Sequence, residues 1–212
     1  MNTHYLASLF TPESIALYGA SDRTDSVGGV VFKNLITSGF KGRIYAINPK
    51  RDEVQGEKAY SSLDAIDELV DLVVVATPAK SIPGIVEACG ERGVKMMLIL
   101  SAGFRETGAE GRRLEDRVTE LVKRYGIRLM GPNCLGIIRP DKGLNVTFGN
   151  NNAEPGNLAF VSQSGAICTA ILDWAETNGV GFSAVVSTGI AADLDFGDFL
   201  DYLVSDSRTK AI

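Results

Sequence analysis

Two stretches of the chain, Asp71–Ala76 (DLVVVA) and Lys95–Ser101 (KMMLILS), are apolar without any polar alternation. A strand of that kind is stable only where both faces are covered, as in a parallel sheet flanked by helices. The surrounding sequence supplies the helices. Ser14–Gly19, Val27–Ser38 and Arg43–Asn48 read as strand, helix and strand, a βαβ unit. Ile82–Arg92 and Gly108–Tyr125 read as the helices around the two apolar runs, and Arg128–Met130 as a short further strand. That strand ends at Gly131-Pro132-Asn133-Cys134, where proline forbids a continuing helix. Five strands joined by right-handed crossovers predict an α/β fold with a Rossmann-like, doubly wound parallel sheet over residues 1–136.

From Ile137 to Asn157 the sequence turns to Pro, Asn and Gly punctuation without helical period, which reads as a connecting segment, 137–157. The α/β rhythm then restarts over 158–212. Strand Leu158–Ser162, helix Ala166–Asn178, strand Ser183–Ser187 and helix Phe196–Ser205 follow one another. A further strand is expected to begin at Thr209–Ile212, so these residues read as part of a longer protein.

Charge and cysteine usage narrow the function. The net charge of -5 gives no global basic field to attract nucleic acid or an anionic membrane, so an anionic ligand must be captured locally. Cys89, Cys134 and Cys168 are odd in number and far apart, which fits neither a disulfide framework nor a metal cluster and implies a reducing, cytoplasmic compartment. No apolar run approaches the roughly 20 residues of a membrane span. His4, the sole histidine, lies in what reads as a frayed terminus, so histidine chemistry is almost unavailable. The acids Asp193, Asp195, Asp198 and Asp201 lack calcium-loop spacing and read as helix-dipole partners, so no metal is expected.

In a doubly wound sheet the ligand sits at the carboxyl ends of the strands. The first such loop, Gly19-Ala20-Ser21-Asp22-Arg23 through Ser26-Val27-Gly28-Gly29, opens a helix. Its free N–H groups and the helix dipole suit a phosphate, although an ordinary tight turn has a similar composition. Gly19-Ala20-Ser21 does not satisfy the dinucleotide pattern G-x-G-x-x-G. Where an NAD site needs an acidic residue for the ribose hydroxyls, the chain has Asn48-Pro49-Lys50-Arg51. Lys50, Arg51 and Arg23 would instead welcome an additional phosphate, which leaves NADP and coenzyme A. The remaining strand ends, Ala76-Thr77-Pro78-Ala79, Ser101-Ala102-Gly103-Phe104 and Gly131-Pro132-Asn133-Cys134, are dominated by small residues. They leave a trough suited to a long pantetheine arm, or act simply as turn formers. Cys134 has no histidine to activate it and reads as a pocket-lining or structural thiol.

Phe160-Val161-Ser162-Gln163-Ser164-Gly165-Ala166 repeats the pattern of strand, Ser/Gly turn and helix. It offers a second anion loop, or a simple N-cap. The rival reading, a G-x-S-x-G nucleophile elbow, fits poorly because its first glycine is missing and the one histidine, His4, lies at the far N-terminus. Ser187–Asp193 ends the next strand beside that loop.

Taken in order, SIALYGAS (Ser14–Ser21), INPK (Ile47–Lys50), SAGFRETG (Ser101–Gly108), GPNCLG (Gly131–Gly136), PGNLAFVSQSG (Pro155–Gly165) and STGIAAD (Ser187–Asp193) resemble the NDP-forming acyl-CoA synthetase family. The resemblance covers a CoA-binding domain plus the start of the succinyl-CoA-synthetase-like ligase domain, a partial flavodoxin-like α/β unit. It implies coenzyme A as ligand, with Gly19, Ala20, Ser21, Arg23 and Ser26 at its phosphates and Lys50 beside them. Thr77, Pro78, Ala79, Ser101, Ala102 and Gly103 would face adenine or pantetheine, and Asn133 and Cys134 the thiol end. Ser162, Gln163, Ser164 and Gly165 would hold the phosphoryl group of a phosphohistidine carried elsewhere. The implied partners are the remaining domains or subunit with an ATP-grasp fold, with an oligomer also conceivable. No catalytic residue is assigned here, and the chain alone is expected to be inactive in the full reaction. Thr169 and Ile190 depart from the Tyr of succinate-specific relatives and the Asn of many acyl-CoA synthetases. Two alternatives stand beside this reading: the synthetase-like CoA-binding region of a protein-lysine acetyltransferase, and an NADP-binding reductase domain.

Overall fold

The computed structural model describes residues 4–212. The first unit runs α1 (Ala7–Phe10), β1 (Ser14–Tyr18), α2 (Val27–Thr37), β2 (Arg43–Ile47), β3 (Glu53–Val54), β4 (Glu57–Tyr60), β5 (Leu72–Val75), α3 (Ile82–Glu91), β6 (Met96–Ile99), α4 (Ala109–Tyr125) and β7 (Arg128–Met130). The second runs β8 (Gly136–Arg139), β9 (Leu144–Thr147), β10 (Pro155–Ser162), α5 (Gly165–Asn178), β11 (Phe182–Ser187) and α6 (Phe196–Ser205).

The unalternating apolar runs become β5 and β6, and every residue in both is buried. Alternate residues serve opposite faces, as the two-residue repeat of a strand requires. Leu72, Val74 and Leu98 enter one core; Val73, Val75, Met97 and Ile99 enter the other. Each such side chain gains roughly 1.5–3 kcal/mol on leaving water, and that gain fixes the register.

The first sheet has seven strands in the order β3-β4-β2-β1-β5-β6-β7. β1 pairs in parallel with β2 on one side and β5 on the other. The winding direction therefore reverses between β1 and β5, which opens a crevice at their carboxyl ends. Two strands exceed the five expected: β3 and β4 form a hairpin, with β4 added in parallel to β2. At two and four residues these strands are too short for alternation to reveal.

Residues 137–157, expected as a connecting segment, contain two strands. β8 and β9 pair antiparallel and join β10 and β11 in a four-stranded sheet of order β10-β11-β8-β9. Ile137, Ile138, Leu144 and Val146 are fully buried. Pro140 and Gly143, part of the expected coil punctuation, lie in the turn between these strands. His4 is not frayed either. Its Nε2 lies 3.0 Å from the Asp201 carboxylate, and its ring stands edge-on to Tyr202. Leu6, Leu9 and Phe10 behind it are fully buried and tie this stretch down. At Thr209–Ile212, Ala211 forms one parallel bridge to Leu158.

The two units are tightly joined. Asn34 of α2 donates from Nδ2 to the carbonyls of Thr147 and Gly149 at 2.8 and 2.9 Å. Residues between β11 and α6 run along β7. The Leu194 and Ala192 amides donate to Leu129 and Gly131 carbonyls, and Arg128 pairs with Asp193 and Asp198 at 2.9 and 3.1 Å. The open edge of β7 is thereby covered.

Candidate functional site

The crevice between β1 and β5 opens into a cavity of about 910 Å³. Close backbone approach shapes its floor. Gly19 has φ +91°, and a Cβ there would come within 2.7 Å of the Ala76 carbonyl. A Cβ on Gly28 would come within 1.8 Å of the Gly19 carbonyl, so only glycine lets the first turn of α2 press against the strand end. The positive end of α2 is thereby brought into the cavity wall.

The loop between them is held internally. Ser26 caps α2: its Oγ accepts from the Gly29 amide at 3.1 Å and donates to the Arg23 carbonyl at 2.8 Å. Ser21 Oγ accepts from the Arg23 amide at 3.1 Å. Asn48 Nδ2 donates to the Ala20 carbonyl at 2.9 Å, while its Oδ1 accepts from the Lys50 amide at 2.9 Å. The residue that departs from an NAD site is thus the one that fastens Lys50 to the phosphate-type loop. Arg23 is bidentate to Asp25 at 3.0–3.2 Å, and both are well exposed. Such an exposed pair is worth little in water. Among the described residues Lys50 makes no ion pair.

The structure brings together Gly19, Ala20, Ser21, Arg23, Ser26, Lys50, Thr77, Pro78, Ser101 and Ala102 around this one cavity. Ser101 Oγ donates to the Thr77 carbonyl at 2.6 Å, which locks the β5 and β6 ends together. Ala79 and Gly103 line an adjoining groove between α3 and α4 that shares Pro78 and Ala102 with the cavity. Arg51 does not line the cavity. Asn133 and Cys134 do not line it either. Asn133 is exposed, and its amide donates to the Ser101 carbonyl at 3.0 Å. Cys134 is buried, its Sγ 3.4 Å from the Ile99 carbonyl, and burial pushes its thiol up to about 12. It packs beneath the strand ends instead of facing a ligand.

Sequence reasoning missed the apolar wall formed by Tyr18, Ile47, Val27 and Ile85. Tyr18 and Ile47 close their strands, and that position was the signal available. Ile85 comes from the middle of α3 and reaches the cavity only through packing. Burial, then the nearby Cys89 thiol, raises the Tyr18 phenol, so it stays protonated. Tyr18, Ile47 and Ile85 suit a flat apolar ring, while the loop and Lys50 suit phosphates.

The second loop differs. Ser162 Oγ accepts from the Ser164 amide at 3.1 Å, and Ser164 Oγ caps α5 by accepting from Ile167 at 3.4 Å. Gln163 Nε2 donates to the Gly189 carbonyl at 3.2 Å. None of Ser162–Gly165 lines the first cavity. Cys168 behind them is buried, which pushes its thiol up to about 11. Among the described residues no group of three or more His, Cys, Asp or Glu is placed to hold a metal, and no helix is long and apolar enough to cross a membrane.

Comparison with known proteins bears on this geometry. A family model described as a CoA binding domain matches residues 13–140, and a succinyl-CoA ligase-like flavodoxin domain matches 155–212. The chain is 47% identical over 96% of its length to ADP-forming acetate–CoA ligase I of Archaeoglobus fulgidus, of which it covers 30%. It is 41% identical over 98% of its length to the alpha subunit of ADP-forming acetate–CoA ligase I of Pyrococcus furiosus, covering 46% of that protein. A solved acetyl-coenzyme A synthetase 1 of Ca. Korarchaeum cryptofilum, in complex with phosphate and ADP, superposes with a TM-score of 0.92 at 38% identity. That match covers 99% of this chain and 44% of the other. The chain thus spans less than half the length of each of these relatives. All three are named as ligases or synthetases, and neither the acetyltransferase nor the reductase alternative gains support from them.

Proposed function

The chain belongs to the CoA-binding domain family, and we propose that it is the CoA-holding portion of an ADP-forming acyl-CoA ligase acting on a small carboxylic acid. The observation that carries this reading is the order of the two matches, a CoA-binding domain followed by a ligase-type flavodoxin domain, with the first placed over the switch-point cavity. In that reaction phosphate displaces CoA from acyl-CoA to give an acyl phosphate. The phosphoryl group passes to a histidine and then to ADP, releasing the acid and ATP. In this reading the phosphorylated histidine and an ATP-grasp nucleotide fold would be supplied by remaining domains or a partner subunit, since His4, the one histidine of the sequence, lies beside Asp201 away from Ser162–Gly165.

The residues present fit coenzyme A. Gly19, Ala20, Ser21 and Ser26, with the N-terminus of α2, would receive the diphosphate, and Arg23 would leave Asp25 for it. Lys50 would hold the ribose 3′-phosphate. Thr77, Pro78, Ala79, Ser101, Ala102 and Gly103 would flank adenine and pantetheine, with Asn133 toward the thiol end and Cys134 packed beneath. Ser162–Gly165, at the positive end of α5, would hold a phosphoryl group brought from outside this chain. In this division 1–136 holds CoA, 158–212 begins the ligase unit, and the 137–157 hairpin joins them.

Calorimetric titration with CoA and with dephospho-CoA, for the chain and for Lys50→Ala, tests the reading. CoA is expected to bind tighter than dephospho-CoA, and Lys50→Ala to remove that advantage. A folded chain that binds neither ligand overturns the assignment.

A further inference from the structure

The β3–β4 hairpin, absent from the sequence expectation, is joined to the anion loop through one side chain. Gln55 sits half-buried at the hairpin tip, between Val54 and Gly56. Its Nε2 donates to the Ser21 carbonyl at 2.8 Å and to the Gly29 carbonyl at 2.9 Å, while its backbone amide donates to Asp22 Oδ1 at 2.7 Å. Ser21 lies in the loop after β1 and Gly29 in the first turn of α2, and the stretch between them supplies Arg23, Ser26, Val27 and Gly28 to the cavity wall. Both protons of one amide group thus bridge the loop and the first turn of α2. Gln55 itself does not line the cavity.

The backbone conformation of this residue is unfavourable on its own. Gln55 has φ +52°, a left-handed conformation that a residue with a Cβ adopts infrequently and that glycine adopts freely. The turn geometry alone would be served as well by glycine, so the side chain's use lies in the two hydrogen bonds it reaches. From this we infer that Gln55 is a positioning residue for phosphate capture. It clamps the Ser21 and Gly29 carbonyls and so holds the loop's N–H groups in the orientation that receives a diphosphate before the ligand arrives. A loop ordered in advance does not lose conformational entropy on binding. This inference rests on the CoA reading above and adds to it a residue that touches no ligand.

The test compares the chain with Gln55→Gly and Gln55→Glu by calorimetry with CoA and dephospho-CoA, and by thermal unfolding. Gln55→Gly relieves the left-handed φ while removing the clamp; Gln55→Glu keeps the shape but sets a carboxylate against two carbonyls. Both variants are expected to bind both ligands about tenfold more weakly, because neutral hydrogen bonds are removed from a loop common to both complexes. The ratio between the two ligands is expected to stay unchanged, and the unfolding midpoint of Gln55→Gly to remain near that of the parent. Lys50→Ala, by contrast, should collapse the ratio. Unchanged affinity in a folded Gln55→Gly overturns the inference and leaves the CoA reading standing. A lost midpoint in both variants, or a reduced binding stoichiometry at unchanged affinity, shows a purely structural role and overturns it too. Failure of the parent chain to bind either ligand overturns the CoA reading itself, and the inference with it.

Discussion

The two Ser/Gly loops are built alike and placed differently. Each leaves a parallel strand and enters a helix capped by a serine hydroxyl, Ser26 on α2 and Ser164 on α5. The first loop closes a large cavity at the point where strand order reverses, carries Arg23, and has Lys50 fastened beside it by Asn48. The second brings no cation, and its two serine hydroxyls bond within the loop and to the first turn of its helix. The same local chemistry therefore borders a cavity lined by two cationic side chains in one unit and stands without a cation in the other. The difference lies in what the tertiary fold brings opposite each loop.

The sharpest way to break this comparison is to place a side chain in each floor. Gly28→Val would drive a Cβ into the Gly19 carbonyl. It should destabilise the chain by about 3 kcal/mol and abolish CoA binding. A Cβ at Gly165 would approach Leu135, its Cβ at 3.1 Å and its backbone nitrogen and Cα at 3.5 and 3.7 Å, contacts that a small shift relieves. Gly165→Ala should change stability by less than about 1 kcal/mol and leave CoA affinity intact. Chemical denaturation and calorimetry of the two variants decide the matter, and comparable CoA losses in both would remove the distinction between the loops. Next in size, Lys50→Ala should weaken CoA by roughly ten- to a hundredfold, the range for charge-assisted hydrogen bonds, while sparing dephospho-CoA.

The caps give a finer contrast. Ser26→Ala and Ser164→Ala should each lower stability by about 1 kcal/mol, since each leaves a helix N–H without its partner. Only Ser26→Ala should also weaken CoA, by roughly threefold, because its hydroxyl also ties down the Arg23 carbonyl. Equal CoA affinity for the two variants would mean that loop order does not govern capture.

The smallest effect concerns the thiols behind each site. Burial pushes Cys89, beside Tyr18, up to about 12 and Cys168 up to about 11, from an ordinary value of 9.0. A thiol whose pKa is higher folded than unfolded binds more protons in the folded state as pH rises. Its contribution to stability is thus complete below about pH 9 and is lost progressively as pH climbs through its folded value. Denaturation midpoints should fall across pH 9–12; Cys168→Ala should flatten that fall only up to about pH 11, whereas Cys89→Ala should flatten it up to about pH 12. An unaltered pH profile in both variants would place these thiols in contact with solvent.

Much of the site was legible along the chain because its parts are local. Gly19, Ser21 and Ser26 belong to one strand-turn-helix passage, and Asn48-Pro49-Lys50 marks the next strand end. The hairpins Glu53–Tyr60 and Gly136–Thr147 were not legible, because strands of two to four residues between glycines and prolines carry no measurable period. Gln55 was invisible for the same reason: its function depends on a pairing of β4 with β2 that its own neighbours do not announce. The resemblance implies Cys134 at the thiol end, but in the loop between β7 and β8 Asn133 is exposed while Cys134 is buried, a difference set by a left-handed turn at Asn133 that no periodicity announces.

By itself the sequence determined the class of the first sheet and counted against the NAD pattern at its second strand end. Unalternating apolar strands admit only two covered faces, and a strand end with Asn and Lys where an acid is needed rejects an NAD ribose. Tertiary structure alone decided that these ends converge on one cavity, that Ile85 joins its wall and that Gln55 clamps its loop. Those contacts link residues far apart in the chain, and their energies arise from packing and hydrogen bonds that exist only once the sheet is wound.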